Sequence, residues 1–134
     1  MVARAAENMQ YIHQKPFTAG GTVTQFYPVT LSSGTIANST SNAKAIGIAQ
    51  KAGTTGDVIS VALLMGPGVI KVKVGTGGAT AGEYAIVSSG NDGLTDQTIG
   101  GGTTVKYVLG RFLETGVAGD IVGLMPGQFA AGCA

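Results

Sequence analysis

Short runs of alternating apolar and polar residues, punctuated by glycine, extend along this chain from Thr22 to Met125. Val23, Gln25, Tyr27 and Val29 alternate with Thr22, Thr24, Phe26 and Pro28, which predicts extended structure as far as Leu31. Pro28 cannot donate a ladder hydrogen bond, so this strand is expected at an edge or interrupted. The polar stretch from Ser32 to Asn42 reads as a loop. A short strand follows at about Lys44 to Gln50, then a second from Val58 to Met65. In the latter both alternating sets are apolar, which predicts cover on both faces. Val69 to Val74 alternates cleanly, with Ile70, Val72 and Val74 inward and Lys71 and Lys73 toward water. Further strands are expected at Glu83 to Ser88, Thr104 to Glu114 and Ile121 to Met125. They are separated by the loop Gly75 to Gly82, a tight turn at Asn91-Asp92-Gly93 and a loop from Asp96 to Thr103. No convincing amphipathic helix interrupts the series. About eight short strands predict an all-β fold, a small single-domain β-sandwich or barrel.

One strand, turn, strand pattern occurs twice. Gly47, Gly53, Gly56 and Asp57 recur at constant spacing as Gly110, Gly116, Gly119 and Asp120. These are read as turn and capping residues. Glycine supplies the conformations that tight turns require, and aspartate accepts hydrogen bonds from turn amides.

Outside the strands the chain divides into an extended N-terminal arm at 1–21, the β domain at 22–127 and a small apolar tail at 128–134. Pro16 stops any helical start in the arm, and Gly20-Gly21 makes a joint after it. Met9, Tyr11, Ile12 and Phe17 make the arm more apolar than a solvated tail requires. Tyr11, Phe17, Phe26 and Tyr27 are half of the chain's eight aromatic residues. They either plug one end of the barrel or anchor the chain on a partner.

Composition narrows the function. At 134 residues the chain is the size of one domain. Only 11% of residues are charged and the net charge is +1, so no basic face exists for nucleic acid. Such low charge is unusual for a lone soluble monomer, whose dispersal depends on a charged surface, and predicts that much surface is covered in an assembly. Cys133 is the only cysteine and can form no internal disulfide. No secretory signal pattern and no apolar run of about 20 residues is present, so the chain is expected in the cytoplasm or in a particle assembled there, with no membrane partner.

No catalytic, metal or cofactor set can be assembled. His13 is the only histidine, with no cysteine or second histidine near it in sequence. The glycine-rich loop at 75–82 lacks the Gly-Lys-Ser/Thr of a phosphate loop and no helix signal follows it. Asp57 and Asp120 lack the neighbouring oxygen ligands that calcium needs. A non-enzymatic role without cofactors is the expectation.

The order Ile46-Gly47-Ile48-Ala49, Ala52-Gly53, Gly56-Asp57-Val58, Gly82-Glu83-Tyr84-Ala85-Ile86-Val87, Leu109-Gly110 and Gly119-Asp120-Ile121-Val122 resembles that of bacteriophage capsid decoration (cement) proteins over about residues 44–125. The first 43 residues and the C-terminal tail depart from the compact members. The resemblance implies a structural virion protein on the outer surface of the phage head. It would form a homotrimer and clamp neighbouring major capsid protein subunits, with the arm supplying an edge strand to the shell. Met9, Tyr11, Ile12, Phe17, Phe26 and Tyr27 would then form the capsid or subunit interface. The alternative is a carbohydrate-binding or host-attachment module of a phage tail or fibre. The absence of tryptophan counts against a sugar-stacking platform.

Overall fold

Each alternating run predicts a strand with one face to bury, and the chain satisfies this demand with two five-stranded groups. The computed structural model describes residues 14–64, 68–100 and 102–133, and no helix occurs among them. The first group comprises β1 (Gln14–Ala19), β2 (Pro28–Ser32), β3 (Thr35–Asn38), β4 (Gly47–Ala49) and β5 (Val58–Leu63). These close into a barrel in the order β1-β3-β2-β4-β5. The second comprises β6 (Ile70–Lys73), β7 (Tyr84–Val87), β8 (Leu94–Gln97), β9 (Thr104–Phe112) and β10 (Ile121–Cys133), in the order β6-β10-β9-β7-β8. The protein is therefore all-β, as the alternation predicts, with ten strands among the described residues.

The two groups are copies of one design. β2 meets β4 through Pro28↔Ile48 and Val29↔Gly47, and β7 meets β9 through Tyr84↔Arg111 and Ala85↔Gly110. β1 runs antiparallel to β5 with Thr18 opposite Val58, and β6 antiparallel to β10 with Lys73 opposite Ile121. Loop bonds match as well. Ala19 N–H donates to the Asp57 carbonyl and Val74 N–H to the Asp120 carbonyl, both at 2.8 Å. The Tyr27 amide closes a turn on Thr24 as the Glu83 amide does on Thr80. The duplication that the glycines mark in β4–β5 and β9–β10 thus extends to all ten strands, as unit 1 (β1–β5) and unit 2 (β6–β10), and the paired ends of β9 and β10, Thr104–Val108 with Phe129–Cys133, are an addition in unit 2.

The cores correspond position by position. Ala19, Val23, Val29, Ile36, Ala49, Ile59 and Val61 fill unit 1, and their equivalents Val74, Ala79, Ala85, Leu94, Phe112, Val122 and Leu124 fill unit 2. Phe112 takes the place of Ala49, while Val23, Val29 and Ile59 give way to the smaller Ala79, Ala85 and Val122. The bulk of the ring is offset by smaller neighbours, as close packing requires. Ala45, Ile48 and Leu64 of unit 1 also enter the core of unit 2, so the two copies share one continuous cluster at their junction.

Three boundaries differ from the sequence reading. Phe17 and its neighbours, assigned to an arm, lie on β1, which pairs with both β5 and β3 and is integral to the barrel. Residues 22–27 are turn and bridge rather than strand, and β2 starts at Pro28, flanked on both sides by β3 and β4. β10 continues to Cys133 along β9, where a tail was expected. The arm residues Met9, Tyr11, Ile12 and His13 lie outside the described residues.

Candidate interaction surfaces

The two repeated turns are built alike. Thr54 N–H donates to Asp57 Oδ2 at 2.8 Å, and Val117 N–H donates to Asp120 Oδ2 at 2.9 Å. Gly56 and Gly119 adopt φ of 93° and 98°, a region side-chain-bearing residues avoid. Gly47 and Gly110 serve differently. A Cβ on Gly47 would collide with the Ala62 carbonyl oxygen, and one on Gly110 with that of Met125, so each glycine lets neighbouring strands approach. Gly53 and Gly116 each bridge to a neighbouring loop, at Val23 and Ala79 respectively. All of these residues hold the hairpins in shape.

The aromatic residues singled out from sequence do not form one cluster. Phe17 is half-buried against the core of unit 1, with the Lys15 ammonium 5.2 Å from its ring centroid. Phe26 and Tyr27 sit in the turn between β1 and β2, both half-buried. Phe26 has φ 65°, and the equivalent position in unit 2 is Gly82, at φ 88°. An aromatic residue held in a left-handed conformation carries strain of about 1–2 kcal/mol relative to glycine. Its carbonyl accepts the Lys73 N–H at 2.9 Å, tying unit 1 to unit 2.

Phe26 stands where two depressions meet. One, of about 620 Å³, is lined by Gln50, Leu63, Ile70 and Pro126 among others. The second, of about 490 Å³, is lined by Glu114, Ile121 and Gly123; both include Phe26, Val69 and Lys71. The two depressions adjoin at these three residues, at the junction of the two units. Val69, 64% exposed, and Ile121, 43% exposed, leave apolar surface on their walls, while Lys71 and Glu114 supply one charge of each sign. Leu113, also exposed, lies beside them, its amide bonded to the Gly123 carbonyl at 2.9 Å.

A second surface lies on unit 2. The Arg111 guanidinium donates to the Gly82 carbonyl from Nε and Nη2 at 3.1 and 2.9 Å and stands 5.3 Å from the Tyr84 ring centroid. Tyr84 meets Phe129 edge to face, with centroids 5.4 Å apart. Met125 completes the rim of a shallow groove of about 240 Å³. Sequence reading passed over these four residues, because they look like ordinary strand positions until the duplication is carried back to β2 and β7.

One loop carries a fixed charge. The Asp92 carboxylate accepts the Thr76 N–H at 2.9 Å, the Thr76 hydroxyl at 2.8 Å and the Ser88 hydroxyl at 2.7 Å. The Thr76 amide bond, followed by that of Ser88, holds this carboxyl below its ordinary value of 3.8. The effect is to pin the β7–β8 turn onto the loop after β6. Among the described residues no group of three or more His, Cys, Asp or Glu side chains converges on a point that could hold a metal ion. No helix among them is long and apolar enough to cross a membrane.

No protein-family model matches this chain, and no curated protein matches it.

Proposed function

We propose that this protein is a structural component of a phage particle, binding the outside of the assembled head and cementing neighbouring major capsid protein subunits. The carrying observation is the pair of adjoining depressions that share Phe26. Exposed Val69 and Ile121 line them, Leu113 lies beside them, and a strained aromatic stands where they meet. Strain of this kind persists where the surrounding structure overdetermines it and is concentrated at functional sites. An apolar groove bounded by a few polar groups fits a partner's chain or strand edge. The low overall charge and an order of turn residues that resembles that of decoration proteins support the same reading. Repetition over a lattice turns a modest affinity per contact into firm attachment, because each engaged subunit raises the effective concentration of the next.

The test is sedimentation with purified, expanded heads that lack this protein. Stoichiometric co-sedimentation of the wild type is expected, with loss of binding in a folded Val69→Glu variant. Attachment to glycans or host cells with none to heads would overturn the proposal in favour of a host-attachment module.

A further inference from the structure

The hydrogen-bond phase of β5 fixes where the chain leading into β1 can pair. On the β4 side the even positions of β5 make the bonds: Leu64 N–H donates to the Ile46 carbonyl at 3.2 Å, and the Ser60 carbonyl accepts the Gln50 N–H at 2.9 Å. On the β1 side the odd positions do so, because Ala19 N–H donates to the Asp57 carbonyl at 2.8 Å and bonded pairs alternate along an antiparallel ladder. Pro16 opposite Ser60 and Gln14 opposite Ala62 fall at non-bonded positions, so the missing N–H of Pro16 costs no ladder bond. One step before Gln14 the phase returns. The N–H and C=O of Leu63 are both turned toward the position of residue 13.

The side chains follow the same count. Gln14, Ala62 and Ile48 are neighbours across three strands and share one face, the face on which unit 2 covers Ile48 and Leu64. Residue 12 is the next position on that face, beside Leu64. It falls at the larger depression, whose near rim carries Gln14 and Ala62 and whose far wall carries Ile70 and Pro126. The Ser60 hydroxyl donates to Gln14 Oε1 at 2.9 Å and fixes the side chain at this entrance. In the sequence, residue 12 is isoleucine, and Met9 and Tyr11 stand close before it.

We infer that the chain's own segment from Met9 to His13 fills this depression, with His13 paired to Leu63 as the next rung of the β1–β5 ladder and Ile12 packed between Ala62 and Ile70. The segment is continuous with β1, so pairing closes no loop and orders only a few residues. In return the ladder gains the bonds that Leu63 offers, and an isoleucine leaves water for an apolar wall. Ile12 is thereby turned inward, onto its own molecule, rather than toward a capsid. Phe26 stands at the limit of the filled depression, and the one lined by Glu114 and Ile121 stays open to a partner. That narrowing of the partner site rests on the cementing reading, whereas the filling of the depression does not.

Amide hydrogen exchange followed by NMR on the full chain tests this against an internal reference. Leu64 N–H is bonded to Ile46 whatever residues 9–13 do, while Leu63 N–H finds its partner only when His13 is in place. Both amides should be protected in the wild type, and the Ile12 methyl groups should show nuclear Overhauser contacts with Ala62 and Ile70. Ile12→Glu should speed exchange at Leu63 by about tenfold or more and leave Leu64 unchanged, and Ile12→Val should keep both slow. A Leu63 amide that exchanges like an unbonded one in the wild type, or that is indifferent to Ile12→Glu, overturns the inference. So does protection at Leu63 that is lost on dilution, since a second copy would then be filling the depression. Leu63 protected as expected in a protein that does not bind heads would sink the cementing reading and leave this contact standing.

Discussion

Unit 1 and unit 2 share strand order, register and turns, yet they are finished differently. Unit 1 closes by a parallel β1–β3 pairing through Thr18↔Thr35 and Ala19↔Ile36. At the equivalent seam unit 2 has the single bridge Val74↔Leu94. Bulkier residues accompany the looser seam, with Val74 in place of Ala19 and Phe112 in place of Ala49. Unit 2 also takes its last core side chains from outside itself, as Ala45, Ile48 and Leu64 of unit 1. The lesson concerns duplication. One copy remains a self-contained barrel, while the other can open because its neighbour supplies the missing apolar contacts. Ile48, which unit 1 buries in doing so, has the exposed Arg111 as its equivalent on unit 2.

Substitutions at equivalent positions separate the two units, and the largest effect is expected at the core exchange. Phe112→Ala removes the largest fully buried side chain among the described residues and should cost about 3–5 kcal/mol, measured by denaturant unfolding. Next is the junction. Ile48→Ala should destabilise the protein by about 2–5 kcal/mol, whereas Arg111→Ala at the equivalent exposed site loses only its surface contacts with Gly82 and Tyr84 and should cost about 0.5–1 kcal/mol. Equal losses at the two sites would contradict the asymmetry. Where the copies are alike the effects should be alike. Asp57→Ala and Asp120→Ala each lose one turn bond, at the lower end of about 0.5–1.5 kcal/mol, and by similar amounts. A smaller difference tests the strained turn. Phe26→Gly should be more stable than Phe26→Ala by roughly 0.5–1 kcal/mol, because both lose the ring but only glycine accepts the left-handed backbone.

The smallest effect is one of pH and belongs to unit 2 alone. The Asp92 carboxyl titrates below its ordinary value of 3.8 in the folded chain, so its stabilisation is present above that value and drains away as pH falls through the lower folded value. The amide of Thr76, and that of Gly90, which donates to the Ser88 hydroxyl at 3.1 Å, should therefore shift together on acidification below about pH 4 in NMR spectra, and this response should vanish in Asp92→Asn.

What could be read from sequence follows from how many apolar residues each strand contributes. β5, β6 and the outer strands of the repeat were legible because several apolar side chains alternate or run together in each. β3 and β8 were not, and they are equivalent strands. Each is anchored in the core by a single large side chain, Ile36 or Leu94, set among threonine, asparagine, aspartate and glutamine. Their pairing comes from neighbours distant in the chain, which no local pattern encodes. β1 was hidden for a related reason. Pro16 and the glycines after it suggested a joint, but Pro16 lies on a strand whose ladder with β5 tolerates it. The repeat was visible only in β4–β5 and β9–β10, because its earlier halves differ in spacing. Leu31 and Ile36 are five positions apart, whereas Val87 and Leu94 are seven apart, and further residues intervene between β8 and β9. Without that longer register, Tyr84, Arg111, Met125 and Phe129 carried no signal. Phe26 was singled out for its ring, but its unusual backbone could not be known before the turn was seen to match Gly82.

The central claim is that unit 2 completes its core with Ala45, Ile48 and Leu64 of unit 1, whereas unit 1 closes on its own. Hydrogen exchange followed by mass spectrometry on an Ile48→Ala variant tests it directly. The amides from Leu109 to Phe112 and from Val122 to Leu124 should exchange faster than in the wild type, while the β1–β3 pairing of unit 1 keeps its protection. Faster exchange confined to unit 1 would contradict it.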